Sequence, residues 1–302
     1  MTTMSTTEER KGAGLMLAAG AFALFSVLDV IVKLLTAGYA IPQIIFLNAV
    51  FALATILTYA ALRGGIVRNL RTRRVGLHAV RASMGVLSGF CTLFAFSRMP
   101  IADVYTLAFS APLWITALSV PILKEKVGWR RWTAVGVGFL GILIILRPGT
   151  GVIDMAAFAA LGGAFFYSMG MLISRFMRGT ESSVSFAAYS SIAGLLVTAP
   201  MLPFVWQTPT LTHFGMSAIS GTIGGVALIC LLNAFRQAPA SFVAPFQYTQ
   251  LLWGVLYGYL VFGTVPDPWM VLGGGIVIGS GLFILYRETV LGRQVAAARP
   301  VH

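Results

Sequence analysis

Along almost the whole chain, apolar runs of about the length that crosses a bilayer alternate with short polar connections. Ten such runs lie near 12–35, 42–62, 76–97, 102–123, 129–146, 154–176, 183–204, 213–236, 240–263 and 268–286. The fifth and tenth are short and rich in glycine. The connections are brief, so no separate soluble domain fits between spans. The first run follows Arg10 and Lys11 and continues past Asp29 without a small-x-small cleavage pattern. It reads as an uncleaved first span rather than a signal peptide.

Two runs are more polar than anchoring in lipid requires. In 240–263, Gln247, Gln250, Gly254 and Tyr257 recur at spacings that place them on one helical face, flanked by Tyr248 and Trp253. In 102–123, Tyr105, Phe109, Pro112 and Thr116 share a face, with Trp114 alongside. Polar side chains at that depth are costly unless they face protein or a water-filled path, so the pattern points to a binding site. Amides, hydroxyls and ring faces suit a zwitterion with an aromatic body. Asn48, Tyr167, Ser168 and Asn233 are further candidates for a central cavity, each with an interhelical hydrogen bond as its alternative. Pro112 and Pro245 remove backbone donors inside the two spans, which permits a gate or hinge, or a packing kink.

The chain also repeats. At an offset of 139, Gly85, Cys91, Pro100, Leu113, Trp114 and Gly136 fall on Gly224, Cys230, Pro239, Leu252, Trp253 and Gly275. At an offset of 142, Gly20, Ser26 and Ile31 fall on Gly162, Ser168 and Ile173. The expected division is a five-span unit over 1–150 and a second over 151–302. Because five is odd, the second unit enters the membrane from the opposite side. The expected fold is therefore an all-α membrane protein, ten transmembrane helices in two inverted repeats around a central cavity. That architecture belongs to transporters working by alternating access.

Composition agrees with this. Of 302 residues, 58% are hydrophobic and 10% charged, and 33 are glycine, where a soluble domain carries about a quarter charged residues. The net charge of +12 resides in short connections, a topology signal rather than a nucleic-acid surface. Most Lys and Arg fall on one side of the ten spans, with Arg98 and Arg147 on the other, so both termini are expected in the cytoplasm. Cys91 and Cys230 lie inside apolar runs and suggest no disulfide framework or metal site. Gly136-Val-Gly138-Phe-Leu-Gly141 fits a dinucleotide fingerprint, but inside an apolar span it reads as packing, as do Gly275 and Gly279. No cofactor is expected. With three histidines and no His–carboxylate cluster, an enzyme is disfavoured. A channel or a packing scaffold are the other rivals.

Asp29 and His78 are the candidates for proton coupling. Lys33 follows Asp29 by one helical turn, so a neutralising pair is expected. His78 is expected at the membrane boundary. Without a clear acid relay, transport is expected to be facilitated or weakly proton-linked.

Pro121 to Leu146, PILKEKVGWRRWTAVGVGFLGILIIL, resembles the end of an EamA-type repeat of the drug/metabolite transporter superfamily, where an acid closes one helix before a glycine-rich one. Glu125 holds that structural acid position, whereas Thr264 stands at its counterpart in the second half. The resemblance covers Gly12 to Tyr286 and is nearest to the YddG-type aromatic amino-acid exporters. It implies an inner-membrane exporter of amino acids, aromatic or neutral ones such as Met or Thr. The alternative is a proton-coupled exporter of small metabolites or cationic drugs. The implied partners are a small molecule and the bilayer, with a monomer expected and a dimer as the alternative.

Overall fold

A computed structural model of the chain describes residues 2–125, 127–147, 155–177, 181–238 and 240–287. The expected boundary at 150–151 and Pro239, one half of a repeat match, lie outside these residues. Among the described residues all regular structure is helical. In chain order the helices are α1 (Thr2–Leu35), α2 (Ile41–Leu62), α3 (Ile66–Leu70), α4 (Val75–Arg98), α5 (Ile101–Ala108), α6 (Ala111–Leu123) and α7 (Trp129–Leu146). There follow α8 (Met155–Phe176), α9 (Ser183–Thr198), α10 (Leu202–Val205), α11 (Leu211–Gln237), α12 (Ala240–Val243), α13 (Thr249–Phe262) and α14 (Pro268–Tyr286).

Nine helical stretches among the described residues are long and apolar enough to cross a bilayer. The expected span 240–263 is not among them; it is divided into α12, a 3-10 turn over Ala244–Tyr248, and α13. A count of ten thus depends on a segmented ninth member. Its mate is divided too: α5 ends at Ala108 and α6 begins at Ala111. Both breaks have a local cause. Pro112 and Pro245 each occupy one of the first two positions of a new helical element, where the missing N–H and fixed φ are tolerated.

Elsewhere the ends follow local chemistry. Ser182, Thr210 and Asp267 accept backbone N–H bonds at the starts of α9, α11 and α14. Gly263, with φ 64°, closes α13 in the left-handed conformation that glycine adopts without a Cβ clash. Lys124 and Arg147 end α6 and α7 at φ 55° and 45°, a conformation that costs a residue with a Cβ roughly 1–2 kcal/mol.

In lipid the hydrophobic effect does not press helices together, so close packing and small residues do. The extensive contacts are α1 with α11, α4 with α8, α7 with α14, and α2 with α11 and α9. α5 and α6 run through the middle and carry much of the largest buried cluster, including Val104, Leu107 and Leu113. At the α7–α14 crossing a Cβ on Gly141 would lie 2.8 Å from the Gly273 carbonyl oxygen, and one on Gly138 would strike the Leu113 side chain. Ser280 closes the same crossing by donating to the Ala134 carbonyl at 2.6 Å. The fingerprint glycines 138 and 141 therefore do pack. Gly136, Gly275 and Gly279 do not: each faces open space, and Gly273, Gly274 and Gly281 make the α14 contacts instead. Helix α14 turns a different set of glycines inward than the repeat match suggested. Cys91 and Cys230 are both free and half-buried.

Candidate functional site

The two breaks meet. Just before the first, the Phe109 ring packs against Tyr248 at the end of the 3-10 turn, centroids 4.9 Å apart and planes tilted 53°. The Tyr248 hydroxyl rests against Gly281, where a Cβ would collide with it, and Pro112 approaches the same glycine. One turn earlier on α5, Tyr105 lies against Gly254 of α13, where a Cβ would come within 2.6 Å of its ring. The missing side chain at Gly254 lets α5 and α13 approach at this level.

Around Tyr105 the polar groups converge. Its hydroxyl donates to Asp29 Oδ2 at 2.6 Å, and Ser26 and Gln250 close on the same hydroxyl. α1, α5 and α13 each contribute to this cluster. Gln250 and Gln247 are half-buried, and Gln247 has no hydrogen-bond partner among the described residues. At the start of α6, just past the first break, the Ser110 hydroxyl and the Trp114 indole N–H are buried without partners among the described residues. They stand one helical turn apart. Buried donors are nearly always satisfied, so this pair asks for a water or a ligand acceptor. The Trp114 ring stands edge-on to Phe139 and Phe165, at 5.0 and 5.3 Å.

The expected Asp29–Lys33 pair is not what the structure holds. Lys33 Nζ donates to the carbonyls of Phe96 and Met99 at 2.5 and 2.6 Å, capping α4, and lies 5.3 Å from the Phe262 ring. Carbonyls left unpaired at a helix C-terminus attract a cation more directly than a carboxylate one turn away along the same helix. Asp103, in the first turn of α5, is the charged group near Lys33. It is 8% exposed and its Oδ1 has no partner among the described residues. The sequence reading passed over Asp103. The signal was present, as an acid at the start of an apolar run with no cation one turn away.

Several expected members lie elsewhere. Asn48 accepts from Ser220 at 2.5 Å, a bond between α2 and α11. Asn233 donates to Ile229 O at 2.9 Å and reaches Tyr59 at 3.4 Å. Ser168 donates to Ala164 and Ala111 carbonyls at 2.7 and 3.1 Å, tying α8 to α6. These three serve as interhelical or intrahelical bonds. Tyr167 is 42% exposed and makes no hydrogen bond among the described residues. Trp253 stacks on Tyr257 of its own helix, ring centroids 5.9 Å apart. Glu125 lies 3.6 Å from Arg175.

His78, in the first turn of α4, is buried. It is 1% exposed, packs on Tyr189 and Phe186, and its Nε2 meets Glu181 Oε2 at 3.2 Å. Thr72 donates to the other Glu181 oxygen at 2.8 Å. Burial would raise the Glu181 carboxyl, but the Thr72 and His78 bonds and the charge of Arg74 outweigh it and hold it below the usual carboxylate range. This latch joins the α3–α4 segment to the start of α9, away from Tyr105.

Polar side chains and rings gathered where two broken spans meet are the arrangement of a membrane transporter, and the comparisons agree. The model of the EamA-like transporter family matches residues 12–147 and again 154–286. The chain belongs to this family. Among curated EamA-like relatives, the riboflavin transporter of Vibrio cholerae is 30% identical over 291 residues, covering 94% of this chain and 96% of that one. The S-adenosylmethionine uptake transporter of Rickettsia bellii is 28% identical over 260 residues, covering 86% and 89%. The pseudopaline exporter of Pseudomonas aeruginosa is 26% identical over 269 residues, covering 88% and 93%. A solved structure described as a crystal structure of protein shares the fold, with a TM-score of 0.63 at 18% identity over 93% of this chain and 98% of that one. This EamA-like protein is thus a multi-pass membrane transporter of a small metabolite, and not an enzyme.

Proposed function

We propose that the protein exports amino acids or amino-acid-like metabolites, aromatic or neutral, by alternating access between two inverted five-helix halves with both termini in the cytoplasm of a bacterial inner-membrane setting. The observation that carries this reading is the meeting of the two breaks. It brings the Phe109 and Tyr248 rings together about one helical turn from a polar cluster (Tyr105, Gln250, Asp29), and the start of α6 adds two buried donors, Ser110 and Trp114, without partners among the described residues. A zwitterion with a flat body calls for ring faces, acceptors and donors of these kinds. The packing supports two exchangeable halves. If α8, α9, α11, α12–α13 and α14 stand for α1, α2, α4, α5–α6 and α7, the α1–α11 contact exchanges with α8–α4, and α2–α11 with α9–α4. The relatives' names, S-adenosylmethionine and pseudopaline among them, fit a small polar metabolite as cargo.

Counterflow of labelled phenylalanine and methionine into proteoliposomes tests the reading. Wild type should exchange at least one of them above protein-free vesicles, and Phe109→Ala should lower that exchange about tenfold or more. Exchange of riboflavin alone, with neither amino acid moved, would overturn it.

A proton-linked exporter is the second reading, and one observation favours it. The argument against coupling at Asp29 depended on a neutralising Lys33, and Lys33 is engaged elsewhere. Accumulation that vanishes when the pH gradient is collapsed, in wild type but not in Asp29→Asn, would establish it.

A further inference from the structure

We infer that the Asp29 carboxylate is the recognition point for a cationic centre on the substrate, a primary ammonium or a sulfonium, carried by a molecule with a flat ring. The inference rests on the transport reading above and names the charge that the cargo must bear.

Asp29 faces the interior. The strongly exposed apolar residues of α1, Met16 and Leu34, are in phase with each other. Asp29, five positions before Leu34, lies roughly 140° round the helix from them at about 100° per residue. Its neighbours there are Tyr105 of α5 and, across the Tyr105 hydroxyl, Gln250 of α13. It is half-buried. Among the described residues no Lys or Arg forms an ion pair with it. The one cation a turn away is held by the Phe96 and Met99 carbonyls.

A carboxylate at this depth is expensive unless it meets a partner. Tyr105 occupies one oxygen with a charge-assisted bond and fixes the orientation of the group. That leaves acceptor capacity on the carboxylate, near the half-buried Gln250 amide that shares the Tyr105 hydroxyl and about one helical turn from the Phe109–Tyr248 rings. Amide oxygens and ring faces stabilise a cation, and amide nitrogens have no acid to compensate here except Asp29. The chemistry that completes this corner is a positive charge with an attached planar group. An anionic cargo would meet the carboxylate unfavourably.

The test is equilibrium binding to purified protein in lipid nanodiscs, using phenethylamine, L-phenylalanine, S-adenosylmethionine, 3-phenylpropionate and riboflavin as probes. Wild type is expected to bind at least one of the first three and to reject 3-phenylpropionate. Asp29→Asn should weaken binding of the cationic probe by about 10- to 100-fold, the range of a lost hydrogen bond to a charged group. Tyr105→Phe keeps the carboxylate and loses its orientation, and should give a smaller loss in a protein that elutes as a folded species. Asp29→Glu should restore part of the affinity. Unchanged affinity of the cationic probe in a folded Asp29→Asn protein overturns the inference while leaving the transport reading intact. So does binding restricted to riboflavin or 3-phenylpropionate, if amino-acid counterflow is retained. A wild type that binds no probe and exchanges no amino acid overturns both.

Discussion

The span made of α5 and α6 and the span made of α12, the 3-10 turn and α13 have matched places in the two halves, yet they break differently. The first breaks at Phe109–Ser110, well inside its length, and nearly every residue of α5 is buried. The second breaks close to its start, at Ala244–Tyr248, and its polar residues are half-buried. The prolines explain the difference, because Pro112 sits 12 positions after Pro100 whereas Pro245 follows its counterpart Pro239 by 6. An early break leaves Gln247, Tyr248 and Gln250 at the beginning of a long free helix, while a late break buries Tyr105 and Phe109 on a short one. The halves therefore differ in chemistry: the first supplies the packed aromatic floor and the acid, the second the accessible amides. Two matches to one family model along a chain do not require a symmetric site.

The largest expected effect comes from forcing the two spans apart. Gly254→Leu places a side chain where Tyr105 already lies, and overpacking of this kind costs roughly 1–3 kcal/mol. Counterflow should fall at least about tenfold and the melting temperature should drop. Gly258→Ala on the same helix, where a Cβ would come no closer than 3.2 Å to any neighbour, should be mild. Equal effects of the two would mean that the α5–α13 contact is not special.

Pro112→Ala and Pro245→Ala separate the two breaks. Restoring a donor allows the helix to run on, so Pro112→Ala should slow exchange several-fold while keeping the fold, since its break lies in the buried floor. Pro245→Ala should change exchange less. A reversed order, read by counterflow and by hydrogen exchange across the two segments, would place the moving part in the second half.

The Glu181 latch gives a smaller, pH-dependent effect away from both breaks. A carboxyl held below its ordinary value contributes stability above that value and loses it as pH falls through the folded one. Hydrogen exchange over α3, tied by Asn69 O to Ser182 and by Leu70 O to Tyr189, should therefore rise below the ordinary glutamate value of 4.5. Glu181→Gln should show the raised exchange already at neutral pH and no further acid step. The smallest effect belongs to Tyr167→Phe. The ring is 42% exposed and its hydroxyl makes no hydrogen bond among the described residues, so stability should move by less than about 0.5 kcal/mol in thermal unfolding.

Much of the architecture was legible from the chain because hydropathy in lipid is a strong, local signal. Nine of the expected spans form as helices of the right length, and the polar pattern pointed to the two segmented ones. Pairings were less legible. The spacing of Asp29 and Lys33 is that of a helical ion pair, but Lys33 turns to carbonyls at the end of α4, sixty-odd residues away. Asn48 and Asn233 look like cavity amides until Ser220, Tyr59 and a backbone carbonyl take their hydrogen bonds.

By itself the sequence determined a multi-span helical protein, and it marked 102–123 and 240–263 as the segments where polarity and proline interrupt the lipid pattern. Those facts follow from the cost of bare polar groups in hydrocarbon, which every residue meets locally. Only the tertiary structure decided that the two interruptions touch through Phe109 and Tyr248, that Lys33 bonds the α4 carbonyls and Asp29 bonds Tyr105, and that Gly273 and Gly281 rather than Gly275 and Gly279 make the contacts. Each of these depends on which face of a helix meets which neighbour, and in an apolar run every face looks alike until the neighbour is in place.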